Sequence, residues 1–148
     1  MTALNLPPFR HQLQRRAGKV AIFDIIRRKY VALTPEEWVR QHFVHYLIDE
    51  LAYPKSLIGV ETGLRYNQLA RRSDVLVHDR SGAPFMVVEC KAATVPLSPQ
   101  VFEQVAVYGQ SLRARYLTVT NGLDHYCCRM DYETGTYAFQ ETLPEFEN

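Results

Sequence analysis

The sequence predicts an α/β fold: a central mixed β-sheet flanked by helices. Two segments with strong helix-start signals, "TPEEWVRQHFVHYLIDEL" and "LSPQVFEQVAVYGQSLRA", bracket three short apolar segments. Those three, "SLIGVETGL", "SDVLVHD" and "PFMVVECKA", have the length and turn-type boundaries of strands. A further strand, "RYLTVT", follows the second helix and runs into Asn121-Gly122, the strongest short hairpin signal. The predicted order is αβββαβ, with one hairpin before it and another after it.

The leading hairpin is read from "KVAIFD" and "KYVALT", which flank "IIRRK"; residues 1–18, polar and basic with Pro7-Pro8, read as loosely ordered or a short helix. The first helix has Thr34 as N-cap, Pro35 at its first position and Glu36 and Glu37 at its positive end. Glu37, three residues after Thr34, completes a capping box. Trp38, Phe43, Tyr46, Leu47 and Leu51 recur at helical spacing and define an apolar face, and the helix stops before Pro54. The strands are expected near 57–63, 74–79, 85–91 and 115–120, and the helices near 35–51 and 99–111. "RSGA" turns the second strand back on the third, so that pair is antiparallel. The second helix is capped by Ser98 with Pro99 following, and "DHYCCRMDY" and "TYAFQE" form the closing hairpin.

A chain of 148 residues fits one domain, 1–148, and its 47% apolar and 22% charged composition is that of a soluble globular protein. There is no apolar run near ~18 residues, which excludes a membrane-spanning helix, and the first residues lack the apolar stretch of a secretory signal. Adjacent Cys127 and Cys128 point to opposite faces of a strand and are poor disulfide partners. Cys90 lies inside an apolar run, and no CxxC pair offers a zinc site. A reduced, cytoplasmic protein is expected. The net charge of +1 hides an asymmetry: residues 1–72 hold 12 Lys/Arg against 6 Asp/Glu, a net of +6, and residues 73–148 hold 5 against 10, a net of −5. A basic half can face phosphates; the competing reading is a solvated face.

The third strand carries the chemistry. In "VVECKA" an apolar run delivers Glu89 and Lys91 to the same face, with Cys90 pointing the other way. If the preceding strand pairs with it antiparallel, Asp74 stands beside Glu89. Two converging carboxylates repel unless a cation lies between them, and a hard, oxygen-liganded ion of the magnesium type suits that place. Without it, Asp74→Asn is expected to be neutral or stabilising. The competing reading is an ion pair at a sheet end, Lys91 neutralising Glu89. On the second helix Gln104 and Tyr108 share a face, and Gln104 borders an apolar stripe of Val101, Val105 and Leu112, free to aim at the same end.

Asp74, then Glu89-Cys90-Lys91 fifteen residues later, then Gln104-x-x-x-Tyr108 resembles the PD-(D/E)xK nuclease pattern in the form typical of its exonuclease and type I restriction branches. More narrowly, "IFDIIRRKYVALTPEEWVRQ", "LIGVETGL", "RRSDVLVHD", "VVECKA" and "TVTNG" resemble the N-terminal domain family of type I restriction enzyme R subunits (HsdR), over about residues 20–130. Glu-x-Lys alone is common; the ordered set is specific. The resemblance implies a restriction-endonuclease-like core and a metal-dependent phosphodiester hydrolase. Asp74, Glu89 and the Cys90 backbone carbonyl would hold Mg²⁺, with Mn²⁺ as an alternative. Lys91 would position the attacking water, and Gln104 and Tyr108 would orient Lys91 or the nucleic-acid backbone. An acid on the first helix often joins such sites; Glu37 matches that place first and Glu36 second, and Glu61 is a further candidate. Arg71 and Arg72, just before Asp74, could reach DNA phosphates. Position 73 is Ser where the pattern has Pro, which is not a ligand position.

The sequence has no phosphate-binding Gly-rich loop, and 148 residues are not expected to hold the motor domains of a whole restriction subunit. The expected partners are therefore DNA and a separate motor or specificity protein, or a second copy, with no membrane. Two functions stand: a DNA nuclease domain, or a non-catalytic nucleic-acid-binding or partner-docking module that keeps the nuclease fold.

Overall fold

The structure, a computed structural model, describes residues 2–62 and 73–147. Its main sheet has six strands: β4 (Ile58–Thr62), β5 (Ser73–His78), β6 (Pro84–Cys90), β7 (Tyr116–Thr120), β8 (His125–Asp131) and β9 (Thr136–Gln140), in that spatial order. Neighbours are antiparallel except β6 and β7, which are parallel and joined through helix α2 (Pro99–Leu112). This is the expected mixed sheet, and each expected strand and helix of the core lies within two residues of its predicted start. A smaller sheet precedes it: β1 (Leu13–Arg16), β2 (Lys19–Asp24) and β3 (Lys29–Ala32).

Helix α1 (Pro35–His45) begins as its caps dictate. The Thr34 hydroxyl accepts the Glu37 amide at 3.0 Å, and a π-helical turn over Tyr46–Glu50 carries the chain on toward Pro54. Val39, Phe43, Val44 and Leu47 lie buried against Val75, Val77, Met86, Val88 and Cys90 on one side of the sheet. The other side carries α2, whose Phe102, Val105 and Ala106 pack on Leu76, Val87, Leu117 and Cys128. Each fully buried Val, Leu, Phe or Met among them contributes about 1.5–3 kcal/mol. The sheet is thus sandwiched where β5, β6 and β7 run. Strand alternation separates Cys127 and Cys128 into the two cores, and all three cysteines are free and buried. Among the described residues, no helix is long and apolar enough to cross a membrane.

Residues 1–18 differ from expectation. They hold neither a helix nor a loose segment over their described part. Leu4 and Leu6 pack on the α1-side core, the Asn5 amide donates to the Gly122 carbonyl at 2.7 Å, and the Trp38 indole donates to the Thr2 carbonyl at 2.9 Å. Gly122 has φ +86°, and a Cβ there would meet a Leu4 methyl at 2.8 Å, so this turn requires glycine for both reasons. Strand β1 then pairs with β2 through a two-residue turn, Ala17-Gly18, with both φ positive. Its residues Leu-Gln-Arg-Arg have no apolar alternation; backbone pairing and the turn make the strand.

Candidate active site

β5 and β6 pair with Val75 opposite Val88, so one step further outward sets Asp74 beside Glu89 at an end of the sheet. The Asp74 carboxylate is held there from two sides. Its Oδ2 accepts the Cys90 backbone N–H at 2.8 Å, and its Oδ1 accepts Arg40 Nη2 at 2.9 Å. The first bond ties Asp74 to the Glu89-Cys90-Lys91 run, and the second ties it to α1. Beyond the last residue of β6, the Lys91 amide donates to the Thr120 carbonyl at 2.8 Å, which extends the pairing with β7 and fixes the backbone that carries Lys91.

Arg40 is 4% exposed in its side chain and is shared by three acids: Asp74, Glu36 Oε1 at 3.0 Å, and Glu37 Oε1. Glu37 is in turn shared. Its Oε1 also accepts Arg27 Nη2 at 2.9 Å, and its Oε2 accepts Gln41 Nε2 at 2.8 Å. Arg27 Nε reaches Asp24 Oδ2 at 2.5 Å, while Asp24 Oδ1 accepts the Ile26 and Arg27 amides in the turn after β2. An alternating series of charges, Asp24–Arg27–Glu37–Arg40–Asp74, therefore runs from the small sheet across α1 to the end of β5. Removing one member of such a buried series leaves its neighbour uncompensated.

Both oxygens of Glu37, the first helix acid expected as an added ligand, are engaged by Arg27, Arg40 and Gln41. Glu36, the second, shares Arg40 with Asp74. It is half exposed. Its pKa is raised, first by burial and then by the negative charge of Asp74, with Arg40 and Lys91 pulling the other way. Glu36, Asp74 and Lys91 thus sense one another across the sheet end. The Cys90 thiol sits among the same groups; burial, then Asp74, push it well up, so it stays a neutral thiol.

Of the remaining candidates, Gln104 alone has a described side chain. Gln104 is exposed on α2 and makes no hydrogen bond among the described residues. The buried stripe of Phe102, Val105 and Ala106 turns it toward solvent. Arg71 and Arg72 lie outside the described residues, as do the side chains of Glu61 and Tyr108. Sequence reasoning missed Asp24, Arg27 and Arg40. Arg40 did carry a signal, since it follows Glu36 by four and Glu37 by three on one helix.

The donors present suit a hard cation. They are carboxylates and a carbonyl, the oxygen donors that such an ion takes. Among the described residues no group of three or more His, Cys, Asp or Glu forms a metal cage. An ion that keeps several waters and takes only one or two carboxylates, as Mg²⁺ does, would not need such a cage.

Asp24 gives a test of the ion-pair series that is independent of any metal. Burial tends to raise its pKa, but the Arg27 amide and guanidinium and the Ile26 amide outweigh it, and the pKa is lowered from 3.8. A depressed carboxylate pKa contributes stability that is fully present above the unfolded value and is lost as pH falls through the folded value. Asp24→Asn is expected to lose about 2 kcal/mol in urea unfolding near neutral pH, and the gap from the parent should narrow as pH falls below the usual carboxylate range. A gap of constant size across that range would assign the effect to packing and not to charge.

A family model described as the type I restriction enzyme R protein N terminus matches residues 35–144, most of the chain. Among solved structures, the chain is similar to a fragment assigned to the HsdR subunit of a type I restriction enzyme from Vibrio vulnificus, with a TM-score of 0.53 and 24% identity. That match covers 77% of this chain and 24% of the other, so this chain spans about a quarter of it, and at that identity the likeness is one of fold. No curated protein matches.

Proposed function

The chain belongs to the family of type I restriction enzyme R protein N termini, and from that premise we propose that it is a metal-dependent nuclease domain hydrolysing phosphodiester bonds of DNA. The observation that carries this reading is the 2.8 Å hydrogen bond from the Cys90 amide to Asp74, which gathers Asp74, Glu89 and Lys91 at one end of the sheet. Asp74, Glu89 and the Cys90 carbonyl would hold Mg²⁺ or Mn²⁺, with Glu36 alongside. When bound, such an ion supplies Lewis-acid polarisation and lowers the pKa of water. Lys91 balances the charge that builds on the phosphoryl oxygens and orients the water toward phosphorus. Arg40 holds Asp74 in place from behind. Tyr108 orients Lys91 or the DNA backbone, and Gln104, on the solvent face of α2, meets the DNA only if the strand passes over that helix. Arg71 and Arg72 contribute phosphate contacts. The work is cytoplasmic, alongside a motor or specificity protein or a second copy.

The test is incubation of supercoiled plasmid and a short duplex with the protein in Mg²⁺, in Mn²⁺ and in chelator. Cleavage is expected with either cation, none in chelator, and none with Glu89→Ala. One observation favours the second reading, a non-catalytic binding or docking module: Arg40 already satisfies Asp74 Oδ1. That reading expects a folded protein that binds duplex equally with and without cation and cuts nothing, and this outcome would remove the nuclease assignment.

A further inference from the structure

We infer that Arg40 is a built-in counter-ion that competes with the metal for Asp74, and that Glu37 and Arg27 set how strongly it competes. The inference rests on the metal-binding reading above and adds three positioning residues to it. Arg40 is fully enclosed on α1, and Nη2 lies 2.9 Å from Asp74 Oδ1, while the other Asp74 oxygen accepts the Cys90 amide. The same nitrogen is 3.0 Å from Glu36. Nη1 is committed to Glu37. A guanidinium with three acids around it has somewhere to lean when a cation arrives: toward Glu37, releasing Asp74 Oδ1. Without a cation it holds the carboxylate in position, so the like-charge repulsion of an empty two-acid site is offset.

Glu37 sets the balance because it is shared. Arg27 takes the same oxygen, Oε1, from the other side, and Arg27 is itself anchored on the buried Asp24. Every charge that Arg27 places on Glu37 weakens the pull of Glu37 on Arg40. The small leading sheet, whose Asp24 and Arg27 precede the stretch matched by the family model, is thereby wired to the site.

The series predicts signs that mere damage to the site would not produce. Arg40→Met removes the competitor, so Mn²⁺ affinity should rise about tenfold, given the Coulomb energy of charges this close at an intermediate dielectric. Arg27→Met frees Glu37 to draw Arg40 from Asp74, so affinity should rise by about threefold. Glu37→Gln lets Arg40 fall back onto Asp74, so affinity should drop by about threefold. Arg40→Lys keeps the positive charge and should stay within about threefold of the parent. The measurement is calorimetric titration of each full-length variant with Mn²⁺, without DNA, after a thermal melt in chelator confirms the fold. If Glu37→Gln does not fold, the two arginine variants decide. An unchanged or weakened affinity in Arg40→Met overturns the inference, as does movement of Arg27→Met and Glu37→Gln in the same direction. A parent that binds no divalent ion overturns the metal reading and this inference together, whereas a parent that binds with the wrong pattern of signs overturns only this one.

Discussion

Asp74→Ala should destabilise the metal-free protein by about 3 kcal/mol, the cost of stripping one partner from a buried ion pair, and should leave no measurable Mg²⁺-dependent cleavage. The side chain is 14% exposed, and its loss strands the Cys90 amide and takes from Arg40 one of its three acids. Asp74→Asn is the sharper variant. From the sequence, two carboxylates with no cation between them would repel, which made a neutral or stabilising Asn the expectation. The structure reverses that sign, because Arg40 supplies a positive charge at 2.9 Å that an amide cannot match. Asp74→Asn should therefore lose about 1–3 kcal/mol in urea unfolding with chelator present. Unchanged unfolding in both variants would mean that the pair contributes nothing in solution, and the repulsion picture would stand after all.

The reversal shows where the sequence was legible. Local chemistry placed the core elements: Thr34-Pro35 and Ser98-Pro99 start helices, Asn121-Gly122 turns β7 into β8, and the apolar run before Glu89 is a buried strand. Each is a short-range rule, decided within a few residues. The pairing of Asp74 with Glu89 was also legible, because a short turn between two strands fixes their direction. Strand β1 was not, since Leu13–Arg16 shows no alternation and is held by backbone pairing with β2. Nor was the docking of residues 2–6, which depends on contacts with Trp38 and Gly122 far along the chain.

The helix acid was half legible. A capping-box position drew attention to Glu37, and the Thr34 cap is present. What spacing could not give is which neighbour faces the sheet. Adjacent helix positions differ by about 100° in direction, enough to send Glu37 to Arg27 and leave Glu36 facing Asp74. The charge asymmetry along the chain also had a local meaning that a net count concealed. Arg27 and Arg40, two of the basic residues in the first half, are turned inward onto acids. They add nothing to a phosphate-facing surface.

Lys91→Ala should lower the rate of Mg²⁺-dependent cleavage at saturating DNA by about a thousandfold, the scale of losing a group that orients a proton-transferring water or stabilises a developing oxyanion. The substitution is clean. The Lys91 backbone keeps its bond to Thr120, and no described partner in the core depends on the side chain, so the fold and duplex affinity should remain close to those of the parent. Metal affinity should hold or tighten. Lys91 is one of the two cations that offset Glu36 beside Asp74, and removing it leaves the carboxylates more negative. The loss should therefore fall on the turnover step, with neither binding step weakened. That split separates a chemical role for the ammonium from the alternative in which Lys91 simply neutralises Glu89 at a sheet end. In that alternative its loss would raise the cost of the unpaired acid, lower the melting temperature in chelator and leave turnover within about threefold of the parent once DNA and cation are saturating. Lys91→Arg adds a second constraint, since it restores charge but not the compact, rotatable ammonium. It should recover the parent's metal affinity while recovering little of the rate.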